Sequence, residues 1–324
     1  MESIASMDLE VTTSRILIFH PDPRVAVKYE ELLKGQAGLT SVTSHTESEL
    51  AERLPQVDVV FGWRLPARTL AGARHLRFVQ VMSAGVDDLL RDPGFDRAIP
   101  LACARGTYGP LMAEYVLAML LAVEKDVRRL FRQQQERTWK SFRPGYLRGK
   151  VLGLAGLGST VQLARAADAL GMTVLGYRRQ PEPVAGIREV YGPDRFIPFL
   201  RELDYLVLAL PLTPETEGFL GLPEFRQMKP SAWLINIGRG RVVREPELVE
   251  ALTARVIRGA ILDVFAEEPL PASSPLWTLD NAVITPHLAA ASIPETMVGL
   301  LLENLDNWRA GRPLKGLVDP DRGY

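Results

Sequence analysis

The chain is poor in cysteine and lacks any long apolar run. Its only cysteine is Cys103, so no disulfide can form within the chain and no cysteine-rich zinc site can be built. The longest purely apolar run, Tyr115 to Val123, lies between two glutamates and is too short to span a bilayer. These absences exclude a disulfide-stapled secreted scaffold, and the run offers no membrane-spanning helix.

The chain also has almost no net charge. The formal net charge is -1 over 324 residues, so no overall field attracts nucleic acid or an anionic membrane surface. The first 14 residues are acidic and polar, without the basic and apolar regions of a secretory signal. Because 47% of the residues are hydrophobic and 24% are charged, we expect a cytoplasmic globular protein of about two domains.

Short apolar runs alternate with amphipathic segments along most of the chain, which predicts an α/β protein. Continuous Val, Ile and Leu runs favour strands that are buried on both faces of a parallel sheet. A long helix predicted over Pro110–Gln135 separates two such series. The predicted strands are residues 15–19, 38–43, 57–61 and 77–81 in the first series, and 151–155, 172–177, 205–210, 232–237, 260–264 and 282–285 in the second.

The second series opens with a strand, a glycine turn and a helix, the order typical of a dinucleotide-binding turn. The first glycine allows a tight turn, the second lets the backbone approach a pyrophosphate, and the helix N-terminus offers free N–H groups to that anion. Val161 stands where a third glycine is usual, so we expect the helix to stand slightly off the sheet. The predicted phosphate contacts are Gly156, Leu157, Gly158, Ser159 and Thr160, the last two through their hydroxyls.

The end of the next predicted strand indicates which dinucleotide is preferred. A site for NAD places an Asp or Glu about 20 residues after the glycine turn, where it accepts a hydrogen bond from the ribose 2′-hydroxyl. This chain has Arg178 and Arg179 there instead. Guanidinium groups match a 2′-phosphate well, so we expect NADP, with NAD as the alternative cofactor.

Three further stretches each bring polar residues to the end of a predicted parallel strand. Arg239 follows the strand over 232–237, Asp263 lies near the end of the next strand with Glu268 just after it, and His287 follows the last strand. The carboxyl ends of parallel strands form the edge at which doubly wound sheets bind ligands. An imidazole beside a carboxylate supplies acid–base chemistry, and a guanidinium binds a carboxylate or polarises a carbonyl, with no metal required.

An ordered series of motifs gives these positions a family context. It runs through Ser83–Asp87, Gly156–Gly158, Pro211–Pro214, Met228-Lys229, Asn236–Gly240, Asp263–Phe265 and Pro286-His287. In this series the chain resembles the D-isomer-specific 2-hydroxyacid dehydrogenases, among them D-glycerate, glyoxylate/hydroxypyruvate and D-phosphoglycerate dehydrogenases. The resemblance starts near Arg15 and covers nearly the whole chain.

The resemblance implies roles for individual residues. His287 would be the proton donor to the substrate carbonyl, Glu268 its carboxylate partner and Arg239 the substrate anchor. Asp263 would hold the nicotinamide carboxamide. Further expected contacts are the backbone of Ala84 and Gly85 for the substrate carboxylate, and Pro211 and Thr213 for the cofactor.

The resemblance also implies a domain plan. A Rossmann-type cofactor domain over residues 107–290 would be inserted into a flavodoxin-like substrate domain made of residues 1–106 and 291–324, with the active site in the cleft between them. Family members are commonly dimers, for which the helix starting at Pro110 is the expected interface. Trp139 is then either an ordinary dimer contact or a residue that reaches the partner's substrate pocket.

Three functions fit this pattern. The main hypothesis is a reductase that transfers hydride from NADPH to a small 2-oxo acid such as glyoxylate or hydroxypyruvate. The second hypothesis is a nucleotide-binding protein with little catalytic activity, which resembles the family's corepressors. The third hypothesis is NAD-dependent oxidation of D-3-phosphoglycerate.

The sequence departs from the family pattern at four positions, which are Val161, Ala209, Arg244 and Ala290. None of them belongs to the set of Arg239, Glu268 and His287.

Overall fold

The computed structural model describes residues 13–324, which form two compact units. One unit contains the residues up to Arg105 together with Ser292–Tyr324, and the other contains Gly106–Ala291. Both boundaries lie one residue away from those expected from the sequence. The chain thus leaves the first unit once and returns to it once.

Both units are built from parallel strands and intervening helices. The strands are β1 Ser14–Phe19, β2 Leu39–Ser44, β3 Val59–Gly62, β4 Phe78–Val81, β5 Leu101–Ala102, β6 Val151–Ala155, β7 Thr173–Tyr177, β8 Glu189–Tyr191, β9 Tyr205–Leu208, β10 Trp233–Asn236, β11 Gly259–Leu262 and β12 Ala282–Ile284. The α-helices are α1 Pro23–Leu33, α2 Glu47–Arg53, α3 Asp87–Arg91, α4 Gly109–Glu124, α5 Val127–Gln135, α6 Val161–Ala169, α7 Phe196–Glu202, α8 Leu222–Phe225, α9 Glu245–Thr253 and α10 Pro294–Arg309. Within residues 13–324, no helix combines the length and hydropathy needed to cross a bilayer.

The first unit contains a five-stranded parallel sheet in the order β2-β1-β3-β4-β5. Every residue of β3 and β4 is buried, because the sheet is covered on both faces. The loop after β4 carries Ala84 and Gly85, where the Ser83 hydroxyl donates to the Gly85 carbonyl at 2.7 Å. This loop therefore lies at the carboxyl edge of the sheet.

The second unit contains a seven-stranded parallel sheet in the order β12-β11-β10-β9-β6-β7-β8. The chain starts at β6 in the interior, runs outward through β7 and β8, and then returns to β9 on the other side of β6. The order thus reverses between β6 and β9, and such a reversal opens a crevice at the carboxyl ends of the strands. The prediction of two doubly wound parallel sheets is confirmed.

The long helix predicted over Pro110–Gln135 is wrong, because the segment forms two helices. Helix α4 ends at Glu124, and α5 begins at Val127. Between them Asp126 adopts a left-handed backbone with φ +48°, and its carboxylate accepts from the Arg129 amide, which caps the new helix. The predicted strand over 205–210 also ends early, at Leu208, so residues 209–210 already belong to the loop at the sheet edge.

Candidate active site

A histidine and a glutamate are in contact at the carboxyl edge of the second sheet. Nδ1 of His287 donates to Oε2 of Glu268 at 2.7 Å. Glu268 lies beyond the end of β11 and His287 beyond the end of its neighbour β12. The structure thus brings together two residues that are 19 positions apart in the chain.

Local hydrogen bonds to the backbone orient the side chains of Glu268 and His287. The Phe265 amide donates to Oε1 of Glu268 at 3.0 Å, which leaves Oε2 for the imidazole. The His287 amide donates to the Asp263 carbonyl at 2.9 Å, and the His287 backbone is left-handed with φ +52°. A left-handed conformation is unfavourable for a residue with a side chain and persists only where its surroundings impose it.

The contact shifts the pKa values of both groups. The hydrogen bond to Glu268 raises the pKa of the His287 imidazole above its ordinary value of 6.5, against the opposing effects of burial and the Arg239 charge. Burial acts to raise the pKa of Glu268. Hydrogen bonds from His287 and the Phe265 amide lower it, as do the positive charges of His287 and Arg239, and the pKa lies below its ordinary value. The pair therefore favours a carboxylate beside a protonated imidazole.

Arg239 lies in the turn after β10, close enough for its charge to shift the pKa values of Glu268 and His287. Asn236 fixes this turn: its side-chain amide donates to the Arg239 carbonyl at 3.0 Å and accepts from the Gly238 amide at 3.2 Å. Three adjacent strands, β10, β11 and β12, therefore present an arginine, a glutamate and a histidine at one edge. Such a set can bind an anionic substrate and exchange a proton with it.

Gly240 locks the arginine turn against the glutamate turn. A Cβ atom at Gly240 would overlap the backbone of Phe265, the residue whose amide holds Glu268. Only glycine permits this approach, so the positions of Arg239 and Glu268 are coupled through their backbones.

Asp263 is buried, with 1% of its surface exposed, and binds its own chain. Oδ1 accepts from the Thr285 hydroxyl at 2.6 Å and the Leu288 amide at 2.9 Å, and Oδ2 accepts from the Ala289 amide at 2.8 Å. The contact to a nicotinamide carboxamide that the family resemblance implies stays a prediction.

Two glycines shape the turn after β6. Gly156 has φ +96°, and a Cβ there would lie 2.6 Å from the Ala209 carbonyl oxygen, so only glycine can occupy the position. A Cβ at Gly158 would meet nothing within 4 Å, which leaves its backbone open to approach. Leu157 packs over Gly176 of β7, and Ser159 is half-buried in the same turn. These residues fit a dinucleotide phosphate at the start of α6.

The expectation for the Thr160 hydroxyl needs correction. Thr160 is 1% exposed, and its hydroxyl donates to the Gly156 carbonyl. Its proton is thus used to close the turn, and the side chain does not offer it to a phosphate.

The two arginines expected at the 2′-phosphate directly follow β7. Nη2 of Arg178 donates to the Glu182 carboxylate at 2.8 Å, while its Nε is buried without a partner. The charge of Arg179 helps to lower the pKa of Glu215, after the larger effect of the hydrogen bond from Thr213 at 2.7 Å. Thr213 and Pro211 lie in the loop after β9, where the Pro211 carbonyl accepts from Thr216.

Comparisons with known proteins bear on this site. A family model described as the NAD-binding domain of D-isomer specific 2-hydroxyacid dehydrogenases matches residues 117–289. Glyoxylate/hydroxypyruvate reductase A from Yersinia enterocolitica is 34% identical over 274 residues, which cover 82% of this chain and 88% of that protein. The chain belongs to the D-isomer specific 2-hydroxyacid dehydrogenase family. It is an NAD(P)-dependent oxidoreductase, as the motif series predicts.

Solved structures agree with this membership. A family member from Xanthobacter autotrophicus, in complex with NADPH and MES, has a TM-score of 0.85 and 31% identity, covering 96% of this chain and 100% of that one. An NADPH-dependent glyoxylate/hydroxypyruvate reductase from Sinorhizobium meliloti, in complex with NADP and sulfate, has a TM-score of 0.86 and 27% identity, with the same coverage of both chains.

Sequence reasoning missed three residues that build the site. Asn236 belongs to the motif over Asn236–Gly240 and Thr285 lies two positions before His287, but the sequence pattern predicts no role for either residue. Tyr115 lies in the apolar run that predicts a buried helix. A tyrosine in such a run needs a hydrogen-bond partner for its hydroxyl, and that requirement was the available signal.

We predict that Gly240→Ala destabilises the protein by about 1–3 kcal/mol and lowers kcat, because the added methyl pushes the arginine turn away from Phe265. Urea unfolding and steady-state kinetics measure the two effects. Gly299→Ala is the matched control, since a Cβ at that helical position meets nothing within 4 Å. Equal behaviour of the two variants would contradict the coupling.

Proposed function

We propose that this chain reduces small 2-oxo acids, such as glyoxylate or hydroxypyruvate, to D-2-hydroxy acids with NADPH. The observation that carries the proposal is the 2.7 Å contact between Glu268 and His287, beside Arg239 and on the same sheet edge as the Gly156 turn. The names of the similar reductases from Yersinia and Sinorhizobium support this substrate class.

The acid–base pair suits the reduction of a carbonyl. A nicotinamide bound at this edge would supply the hydride that reduces the carbonyl carbon. Reduction places negative charge on the carbonyl oxygen. Because Nδ1 of His287 is bonded to Glu268, its Nε2 is the atom that delivers a proton to this oxygen. Glu268 keeps the imidazole charged beforehand, and Arg239 binds the substrate carboxylate and polarises the carbonyl. In the reverse direction Nε2 accepts the proton.

Arg178 and Arg179 support the choice of NADPH. Both follow β7, where an acidic residue would accept from the 2′-hydroxyl of NAD, and neither guanidinium can accept a hydrogen bond. The Xanthobacter and Sinorhizobium relatives hold NADPH and NADP. The proposed holding set is the backbone of the glycine turn, the two arginines, and the loop carrying Pro211 and Thr213.

The catalytic set separates the rival functions. A corepressor-like role has no need of a charged histidine–glutamate pair, and the NAD-dependent phosphoglycerate reaction conflicts with the two arginines. The substrate-carboxylate role of Ala84 and Gly85 stays a prediction from the family resemblance, and the cytoplasmic location stays a prediction from the composition.

Exposed apolar side chains support a homodimer. Leu130 and Phe131 of α5 are 46% and 63% exposed, and Trp139 and Tyr146 in the following segment are fully exposed and 63% exposed. Such a group of apolar side chains on one stretch of chain is typical of a protein interface. We propose that a second copy covers it. For Trp139 both expectations stand, an ordinary dimer contact or a reach into the partner's substrate pocket.

His287→Gln is expected to lower kcat for glyoxylate reduction by about 10² to 10⁴, because glutamine cannot donate a proton to the developing alkoxide. The Kd for NADPH, measured by fluorescence titration, is expected to stay unchanged. His75→Gln serves as the control, since His75 bonds the Leu54 carbonyl in the other unit. Full activity in His287→Gln would refute the mechanism.

The rate of reduction is expected to fall as pH rises through the pKa of His287, which lies above 6.5, because only the imidazolium donates. Oxidation is expected to rise over the same range. Glu268→Gln removes the charge that raises this pKa, so the descending limb of the reduction profile moves to lower pH. A limb that stays in place would show that another group controls the rate.

The double variant with Arg178→Asp and Arg179→Ala is expected to shift the kcat/KM ratio from NADPH towards NADH by about 10-fold or more, since two charge-assisted hydrogen bonds to the 2′-phosphate are lost. Arg255→Ala, which breaks an exposed ion pair with Asp280 elsewhere in the same unit, is the control. An unchanged cofactor ratio would reject this site for the 2′-phosphate.

A further inference from the structure

A line of hydrogen bonds runs from helix α4 to Asp263. The Tyr115 hydroxyl lies 2.6 Å from Oγ1 of Thr285, which lies 2.6 Å from Oδ1 of Asp263. Tyr115 is 8% exposed and Asp263 is 1% exposed, so the line lies largely in the interior of the second unit. The mechanism described above uses neither hydroxyl.

The direction of each proton follows from the chemistry of the groups. Thr285 has one hydroxyl proton and donates it to the Asp263 carboxylate. Its oxygen must therefore accept from Tyr115, so the tyrosine hydroxyl is the first donor of the line. Burial raises the pKa of Tyr115 to about 12, and the Asp263 charge acts in the same direction. The tyrosine thus keeps its proton throughout the working range of pH.

Asp263 connects the line to the backbone around His287. Its carbonyl accepts from the amide of His287, and its carboxylate accepts from the amides of Leu288 and Ala289. One buried residue thus fixes three successive amides, and the first belongs to a residue held in a left-handed conformation. Loss of any of these contacts would let that backbone relax towards a commoner conformation.

We propose that Tyr115, Thr285 and Asp263 are positioning residues for His287, holding its backbone so that Nδ1 meets Glu268. The proposal deepens the proposed function, because its effect on turnover rests on His287 being the proton donor. The charged groups that act on the imidazole are Glu268, Arg239 and Asp263, and only the contact with Glu268 depends on the orientation of the ring.

A purely structural role is the alternative, and the same unit contains a matched case. Tyr205 is 1% exposed, and its hydroxyl donates to the buried carboxylate of Glu124. Tyr205 starts strand β9, so this pair lies at the amino end of the sheet, opposite the edge that carries His287. Tyr205→Phe therefore costs stability without reaching the imidazole.

The experiment compares Thr285→Val, Thr285→Ser, Tyr115→Phe and Tyr205→Phe in the full chain. The pKa of His287 is measured by NMR titration without cofactor, which is practicable because the chain has four histidines and His287→Gln assigns the signal. Kinetics with glyoxylate and NADPH, and urea unfolding, accompany the titration.

Thr285→Val is expected to lower the pKa of His287 towards 6.5 and to reduce kcat by about tenfold or more, because the imidazole no longer stays aligned with Glu268. Thr285→Ser keeps the hydroxyl and is expected to restore both values. Tyr115→Phe, the milder change, is expected to shift both in the same direction by less, and it serves if the valine variant fails to fold. Tyr205→Phe is expected to alter unfolding alone.

The proposal is overturned if the folded Thr285 and Tyr115 variants lose stability while the pKa of His287 stays at the wild-type value. A shift of that pKa in a protein without reductase activity would have a different meaning. The proposed function would then be wrong, while the positioning of His287 by this line of hydrogen bonds would stand.

Discussion

The hydrogen bond between His287 and Glu268 is the interaction on which the proposed chemistry of this protein depends. It raises the pKa of the imidazole and orients the ring, and it forms only because two adjacent parallel strands end side by side. The carboxylate is held by the Phe265 amide on one side and the imidazole on the other. The sheet therefore aligns the two side chains, whereas ordering two separate loops to do so would cost conformational entropy.

Much of the fold and of the site was predictable because it follows from local patterns. Strands buried on both faces give continuous apolar runs, and a polar residue just after such a run marks the ligand-binding edge. This reasoning predicts the places of Arg239, Glu268 and His287 from the sequence alone. It also located the Gly156 turn, where an added Cβ would meet the Ala209 carbonyl. Membership of the family then followed from the order of these motifs.

The remainder depends on contacts that no local pattern reveals. The sequence pattern around Asp126 fits one continuous helix, but the helix breaks there. Asp126 adopts the left-handed conformation, and its own short carboxylate side chain caps the next helix. The Thr160 hydroxyl donates to the Gly156 carbonyl because the geometry of the turn brings the two groups together. The contact between Tyr115 and Thr285 joins residues 170 positions apart, and only the folded chain shows it.

The absence of a side chain at Gly240 has a consequence for how such an enzyme can change over evolution. Because the turn that carries Arg239 rests directly on the backbone of Phe265, a shift of that turn also moves the turn that holds Glu268. Mutations that adapt the enzyme to a larger or smaller acid must therefore arise outside this fused pair of turns. The two turns that carry Arg239 and Glu268 are therefore expected to change together or not at all. Changes in substrate preference are expected in the surrounding loops.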